Sequence, residues 1–246
     1  MTRWRWAFAL LTSAAGAHAV AALLISGSVL VSAGATASPH AHPAALEPTF
    51  PTLARPVAPI VSPRWSTEDA RENLGEARMV IAAVGPLAGK TVADVGAGEG
   101  YYESRLSRAV GAGGRVVAED IEAATVAKLA HRVRPLGNVA ARLGRADDVG
   151  LAPASVDVIL MVHMYHEITQ PFALLWRLRG SLRPGGRVAI VDADRPITDH
   201  GTPPDLLKCE LGAMGYARES TRWIEKGIYL ALFVPRAAPT KITPCR

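Results

Sequence analysis

The segment Val92–Gly100 reads VADVGAGEG, an apolar run that breaks into glycines at alternate positions. An apolar run closed by glycines is a buried strand that turns sharply and lets its backbone approach a ligand. Tyr102, Leu106, Ala109 and Val110 then recur at helical spacing, and glycines from Gly111 to Gly114 close the helix. A strand that passes through such a loop into a helix leaves free backbone amides at the loop. That unit restricts the chain to folds in which strands and helices alternate.

The alternation continues downstream. Arg115–Glu119 is a second strand, and Val126, Leu129, Ala130 and Val133 mark a helix that stops near Pro135. Asn138–Leu143 reads as a third strand. Val156–Val162 (VDVILMV) is almost wholly apolar, as expected of a strand buried on both faces. A helix over Phe172–Leu182, a strand over Arg187–Val191 and a helix containing Leu207, Leu211 and Met214 follow. Upstream, Ser66 is the expected N-cap of one helix that runs through Leu74, Ala77, Ile81 and Val84 to Gly85-Pro86. Strands separated by helices pair in parallel through right-handed crossovers. Tyr216–Trp223 and Ile228–Val234 flank a turn at Glu225-Lys226-Gly227 that is too tight for a crossover, so the last strand is expected to be antiparallel. The fold class is α/β, a Rossmann-like doubly wound sheet that binds ligands at the carboxyl ends of its strands.

The N-terminal quarter lies outside this pattern. Residues 1–37 contain Arg3, Arg5 and no acid, with an apolar run at Val20–Val31 and the small-residue end Ala35-Thr36-Ala37. These are the features of an export signal. An uncleaved inner-membrane anchor facing outward is the alternative, since Trp6–Val31 carries no charge and is long enough to span a bilayer. Either way the domain is expected outside the cytoplasm, periplasmic or secreted. Residues 38–64 hold seven prolines and read as a semi-extended linker. The domain is expected over 65–236, with 237–246 as a tail. His40 and His42 read as a solvated pair in the linker.

The formal net charge is +5, but the arginines are scattered and form no basic run, so a nucleic-acid partner is not expected. Two cysteines exclude a disulfide scaffold and a four-cysteine zinc site. Cys209 and Cys245 would pair only in an oxidising compartment, and burial of Cys209 as a thiol is the simpler expectation.

The glycine spacing is G-x-G-x-G with Tyr101 next, which fails the G-x-G-x-x-G/A fingerprint of dinucleotide binding. Asp120, at the end of the second strand, is placed to take both hydroxyls of a ribose, or to cap the helix behind it. His163, Tyr165, His166 and Glu167 cluster just past the fourth strand. A neutral histidine is the usual base near neutral pH, so His163 and His166 are the candidate catalytic bases; the alternative reading is that both are loop or packing residues. Asp192 and Asp194 end the fifth strand and either shape the acceptor pocket or cap the loop. His200 reads as a turn residue or part of a lid.

Taken together, VADVGAGEG, Asp120, VDVILMVHMYHEI and LRGSLRPGGRVAIVDAD resemble the class I S-adenosylmethionine-dependent methyltransferases, most closely the bacterial ubiquinone/menaquinone-biosynthesis type. The resemblance spans about residues 66–234 in family order. It implies a seven-stranded sheet and S-adenosyl-L-methionine as cofactor. Asp94, Gly96, Gly98 and Gly100 would line its methionine part, Asp120 would bind the ribose, and Val162 would lie where cofactor and acceptor meet. The position of the family's adenine-binding acid holds Arg145, which leaves Asp147 as the substitute. No metal is expected. The acceptor is expected to be a small molecule; an exported noncatalytic module that binds a nucleoside or another small ligand is the alternative.

Overall fold

The computed structural model describes residues 47–60 and 67–245. The expected N-cap Ser66, the export segment and the His40/His42 pair lie outside the described residues. The elements in order are α1 (Glu68–Leu74), α2 (Glu76–Val84), β1 (Thr91–Val95), α3 (Glu103–Val110), β2 (Arg115–Asp120), α4 (Ala123–Val133), β3 (Val139–Leu143), β4 (Val156–Val162), α5 (Pro171–Ser181), β5 (Leu182–Ala193), α6 (Pro204–Ala213), β6 (Tyr216–Glu225) and β7 (Ile228–Pro235). Short 3-10 turns cover Tyr165–Glu167 and Ile197–Asp199.

One seven-stranded sheet runs β3-β2-β1-β4-β5-β7-β6. The pairs from β3 through β5 are parallel. Strand β7 runs antiparallel to both β5 and β6. The reversal expected from the tight turn is therefore present, and Gly227 takes the positive φ of 83° that the turn needs.

Strand alternation explains the apolar run of β4. Val158, Leu160 and Val162 pack with Val80, Val84 and Leu106 of α2 and α3 on one face. Ile159 and Met161 pack with Leu175, Leu178, Leu207 and Leu211 of α5 and α6 on the other. Successive residues point to opposite faces, and here both faces are covered, so every position from Val158 to Val162 is apolar. Burying each such side chain is worth about 1.5–3 kcal/mol.

Four expectations need correction. The single helix before β1 is two helices, because Gly75 takes a left-handed φ of 64° between them. Thr67 caps the first, its hydroxyl accepting the Ala70 amide at 3.2 Å. The proline-rich stretch is not a free linker at its end. Ala58 N–H donates to the His166 carbonyl at 3.0 Å, and Arg55 pairs with the buried Glu210 at 2.8 Å. The tail is likewise attached: Cys245 is buried and bonded to Cys209 in a disulfide, and Cys209 itself is exposed on α6 rather than a buried thiol. No helix among the described residues is long and apolar enough to cross a membrane.

The disulfide closes a loop with a sequence separation of 36 residues. Replacing both cysteines by serine should cost about 3 kcal/mol, mainly by freeing the unfolded chain. Denaturant unfolding of the variant should show this loss, and equal midpoints for the two proteins would refute it.

Candidate active site

The strand order reverses between β1 and β4, so the helices that follow these strands leave from opposite faces. A crevice opens at their carboxyl ends, where a doubly wound sheet takes ligands. A cavity of about 440 Å³ lies there, walled by Gly96 and Gly98 after β1, Glu119 and Asp120 at the end of β2, and Val162 and His163 at the end of β4. That volume suits a ligand of nucleoside size.

Gly96 has a φ of 72°, and a Cβ there would sit 2.8 Å from the Met164 side chain. Only glycine lets this loop pass beneath Met164. Asp120 is held across the loop. Its Oδ2 accepts the Gly98 amide at 3.0 Å and its Oδ1 accepts the Glu122 amide at 2.9 Å. Asp120 therefore lines the cavity where a ribose was expected, but it does not cap the following helix: the N-cap of α4 is Glu122, which makes no side-chain cap bond.

The structure divides the expected residues. Gly96, Gly98, Asp120, Val162 and His163 line the cavity; Asp94, Gly100, Asp147 and His166 do not. Asp94 is buried behind the loop beside Glu103. Desolvation and the mutual repulsion of the two carboxyls raise Asp94 well above its ordinary range, and burial raises Glu103 as well. Two buried carboxyls in such a pair share a proton. Asp147 turns away to Arg177, with Nη1 to Oδ2 at 2.5 Å. Burial opposes the charge there, but the Arg177 hydrogen bond holds the Asp147 carboxyl below its usual range. Arg145 and Ala146 occupy the cavity wall instead.

The two histidines also part. His163, at a φ of 54°, faces the cavity and its Nε2 lies 2.9 Å from Glu76 Oε2. Glu76 also receives Arg71 at 2.9 Å and the Tyr102 hydroxyl at 2.9 Å. Burial alone would raise Glu76, but the hydrogen bonds and charges of His163 and Arg71 hold it down to about 2. His166 is buried and its Nδ1 meets Asp192 at 3.0 Å.

Sequence reasoning missed Glu119. This buried side chain borders the cavity, and its Oε1 has no hydrogen-bond partner among the described residues. Desolvation pushes its carboxyl up to about 8, with the Gly96 amide pulling the other way and Asp120 adding to the rise. A Cβ on Gly144 would stand 1.8 Å from Glu119 Oε1, so the neighbouring strand end is shaped around this carboxyl. The available signal was strand parity, which sets Glu119 on the opposite face from Asp120.

A methyltransferase-domain family model matches residues 93–190. The chain carries a class I, S-adenosylmethionine-dependent methyltransferase domain. An arsenite methyltransferase of Halobacterium salinarum is 33% identical over 141 residues, 54% of this chain and 35% of that protein. A ubiquinone/menaquinone biosynthesis C-methyltransferase of Idiomarina loihiensis is 30% identical over 124 residues, 49% of each chain. The chain thus spans half or less of the length of these curated relatives. A crystal structure of a SAM-dependent methyltransferase from Aquifex aeolicus superposes with a TM-score of 0.65 at 25% identity, covering 71% of this chain and 98% of that one.

S-adenosylmethionine is the cofactor of this methyltransferase class, and the residues present fit it. The loop glycines leave open space, with nothing within 4 Å of a Cβ on Gly98. The pre-oriented Asp120 suits a ribose diol, and the orphaned Glu119 Oε1 suits a donor such as an amine.

Because burial raises Glu119, the methyltransferase domain gains stability from its protonated form. That gain is complete below the ordinary carboxyl range and is lost as pH rises toward 8. Glu119→Gln cannot ionise. Its melting temperature should therefore pull ahead of the wild type as pH rises, with the gap levelling off above about 8. A gap independent of pH in thermal melts would contradict this. Gly144→Ala should destabilise by about 1–3 kcal/mol through the clash with Glu119. The double variant with Glu119→Ala should recover most of the loss, as read by chemical denaturation.

Proposed function

We propose that this protein transfers a methyl group from S-adenosylmethionine to a small-molecule acceptor held beside His163. The observation that carries the reading is Asp120, fixed by the Gly98 amide on the wall of a nucleoside-sized cavity at the switch point of the sheet. When bound, the cofactor supplies a methyl group already activated on a sulfonium, so the protein chiefly aligns the acceptor and excludes water.

The chain's own residues divide that work. Asp120 orients the ribose, and the Gly96–Gly98 backbone lies close against the ligand. Val95, Val149 and Leu174 supply apolar wall. His163, braced by Glu76 at 2.9 Å, would accept the proton of a hydroxyl or ammonium acceptor. Val57–Ile60 close the acceptor side, which makes the end of the proline-rich stretch part of the pocket. A thiophilic acceptor such as arsenite is not favoured, because both cysteines are in the disulfide and the described residues hold no free thiol.

Export is part of the proposal. The N-terminal segment has the composition of a signal or an outward-facing anchor, and the Cys209–Cys245 disulfide supports an oxidising compartment. A tagged full-length protein should appear outside the cytoplasm, and retention inside would count against export.

Calorimetric titration with S-adenosylmethionine and S-adenosylhomocysteine tests the cofactor reading. Binding should be present in the wild type and fall at least tenfold in Asp120→Ala, since two ribose hydrogen bonds are removed. A folded wild-type sample that binds neither ligand would overturn the reading. His163→Gln should retain binding yet lower turnover about 10²–10⁴-fold. Unchanged turnover would remove His163 as base.

A further inference from the structure

His166 was expected in catalysis, yet it is buried and does not line the cavity. Its Nδ1 lies 3.0 and 3.2 Å from the two oxygens of Asp192. Asp192 is fully buried and also accepts the Thr202 hydroxyl at 2.7 Å and the Ala193 amide at 2.8 Å. An acid so placed accepts a hydrogen bond from Nδ1–H and fixes that tautomer, which leaves the Nε2 lone pair on the far side of the ring. That Nε2 lies 3.8 Å from Glu167 Oε1, longer than a hydrogen bond. The His200 ring stands nearly perpendicular to the His166 ring, with centroids 5.6 Å apart. One ligating atom from each of His166, Glu167 and His200 falls within 4.8 Å of the others.

We propose that His166, Glu167 and His200 hold a divalent transition-metal ion against the wall of the cofactor cavity. Two imidazoles and one carboxylate form a donor set of borderline softness that suits zinc or iron(II) and leaves coordination positions open. The hard all-oxygen shell that calcium or magnesium requires is not present at these three residues. Asp192 completes the carboxylate–histidine–metal arrangement that orients a ligating imidazole.

The backbone is built to present the third ligand. His200 adopts a left-handed φ of 57°, and its carbonyl accepts two hydrogen bonds from Arg195 at 3.0 and 3.1 Å. The adjoining Thr202 is tied by its amide to Ala193 at 2.9 Å and by its carbonyl to the Tyr229 hydroxyl at 2.7 Å. A non-glycine residue in this conformation persists where its surroundings over-determine it, and such positions gather at functional sites.

Glu167 also lines the cavity, beside His163 and Met164. An ion held by Glu167 would therefore present its open positions toward an acceptor. The acceptor class this favours is a small molecule with an oxygen donor, a hydroxyl or carboxylate, that can enter the metal shell. This last step rests on the methyltransferase reading; the ion site does not.

The test is metal binding by the purified full chain after chelator treatment. Zn²⁺ added under calorimetry should bind at one equivalent per chain. Co²⁺ should give the visible d–d absorption of a low-coordinate site, and that band should shift when acceptor candidates with oxygen donors are added. His200→Gln and Glu167→Gln should each abolish stoichiometric binding while keeping the wild-type circular dichroism and melting profile. Asp192→Asn should weaken binding about 10–100-fold. His131→Gln, on the outer helix α4, should bind as the wild type does. Absence of stoichiometric binding in the wild type, or binding unchanged in His200→Gln and Glu167→Gln, would overturn the site. If no ion binds and His166→Gln abolishes turnover, His166 and Asp192 act as a proton-transfer pair instead, which also overturns it. Metal binding without S-adenosylmethionine binding would leave this site standing and remove the methyltransfer reading alone.

Discussion

A parallel strand covered on both faces has room for polar chemistry only at its ends, and β1 and β4 are covered on both. Val92 and Val158 face one helical layer, and Ala93 and Ile159 face the other. Each polar atom placed inside such a layer would need a partner or lose stability. The sheet therefore pushes its working residues past Val95 and Val162, and the reversal of strand order between these two strands separates the following helices to leave a crevice. Gly96, Asp120 and His163 are neighbours because they are the first residues released from this constraint.

The buried charge around that crevice follows from the same geometry. Glu76, Asp94, Glu103, Glu119 and Asp192 are all buried. Glu76 stays ionised because His163 and Arg71 offset its burial. Where burial is not offset by a close cation the carboxyl is raised instead, as desolvation raises Asp94 and Glu103. Neighbouring carboxyls are thus sorted into charge carriers and proton holders by partners rather than by residue type.

How far the sequence could be read depends on which residues obey a period. Strand runs, the glycine loop and Asp120 are local features, and all sit where the pattern puts them. The reversal of β7 followed from the length of one turn. What stayed hidden was set by contacts between distant segments. Asp147 is a loop residue, and only Arg177 on α5 decides that it leaves the cavity. His163 and His166 are three residues apart across a 3-10 turn, and no period separates their roles. Glu76 on α2 claims one, and Asp192 on the neighbouring strand β5 claims the other. The Cys209–Cys245 bond and the Arg55–Glu210 pair join segments that sequence spacing does not relate.

Those last two ties meet on one helix. Glu210 and Cys209 are consecutive on α6, so the strap before the domain and the tail after it are both fastened there. Glu210 also accepts the buried Tyr165 hydroxyl at 2.9 Å, and Tyr165 opens the turn that carries His166 and Glu167. The strap in turn donates Ala58 N–H to the His166 carbonyl. The turn that bears His166 and Glu167 is thereby held by α6 and by the strap. A disulfide acts mainly by restricting the unfolded chain, whereas a buried ion pair with hydrogen-bonded partners specifies the native arrangement. This side of the cavity uses both, and such rigidity is what the proposed alignment of a small molecule with an activated methyl group would demand.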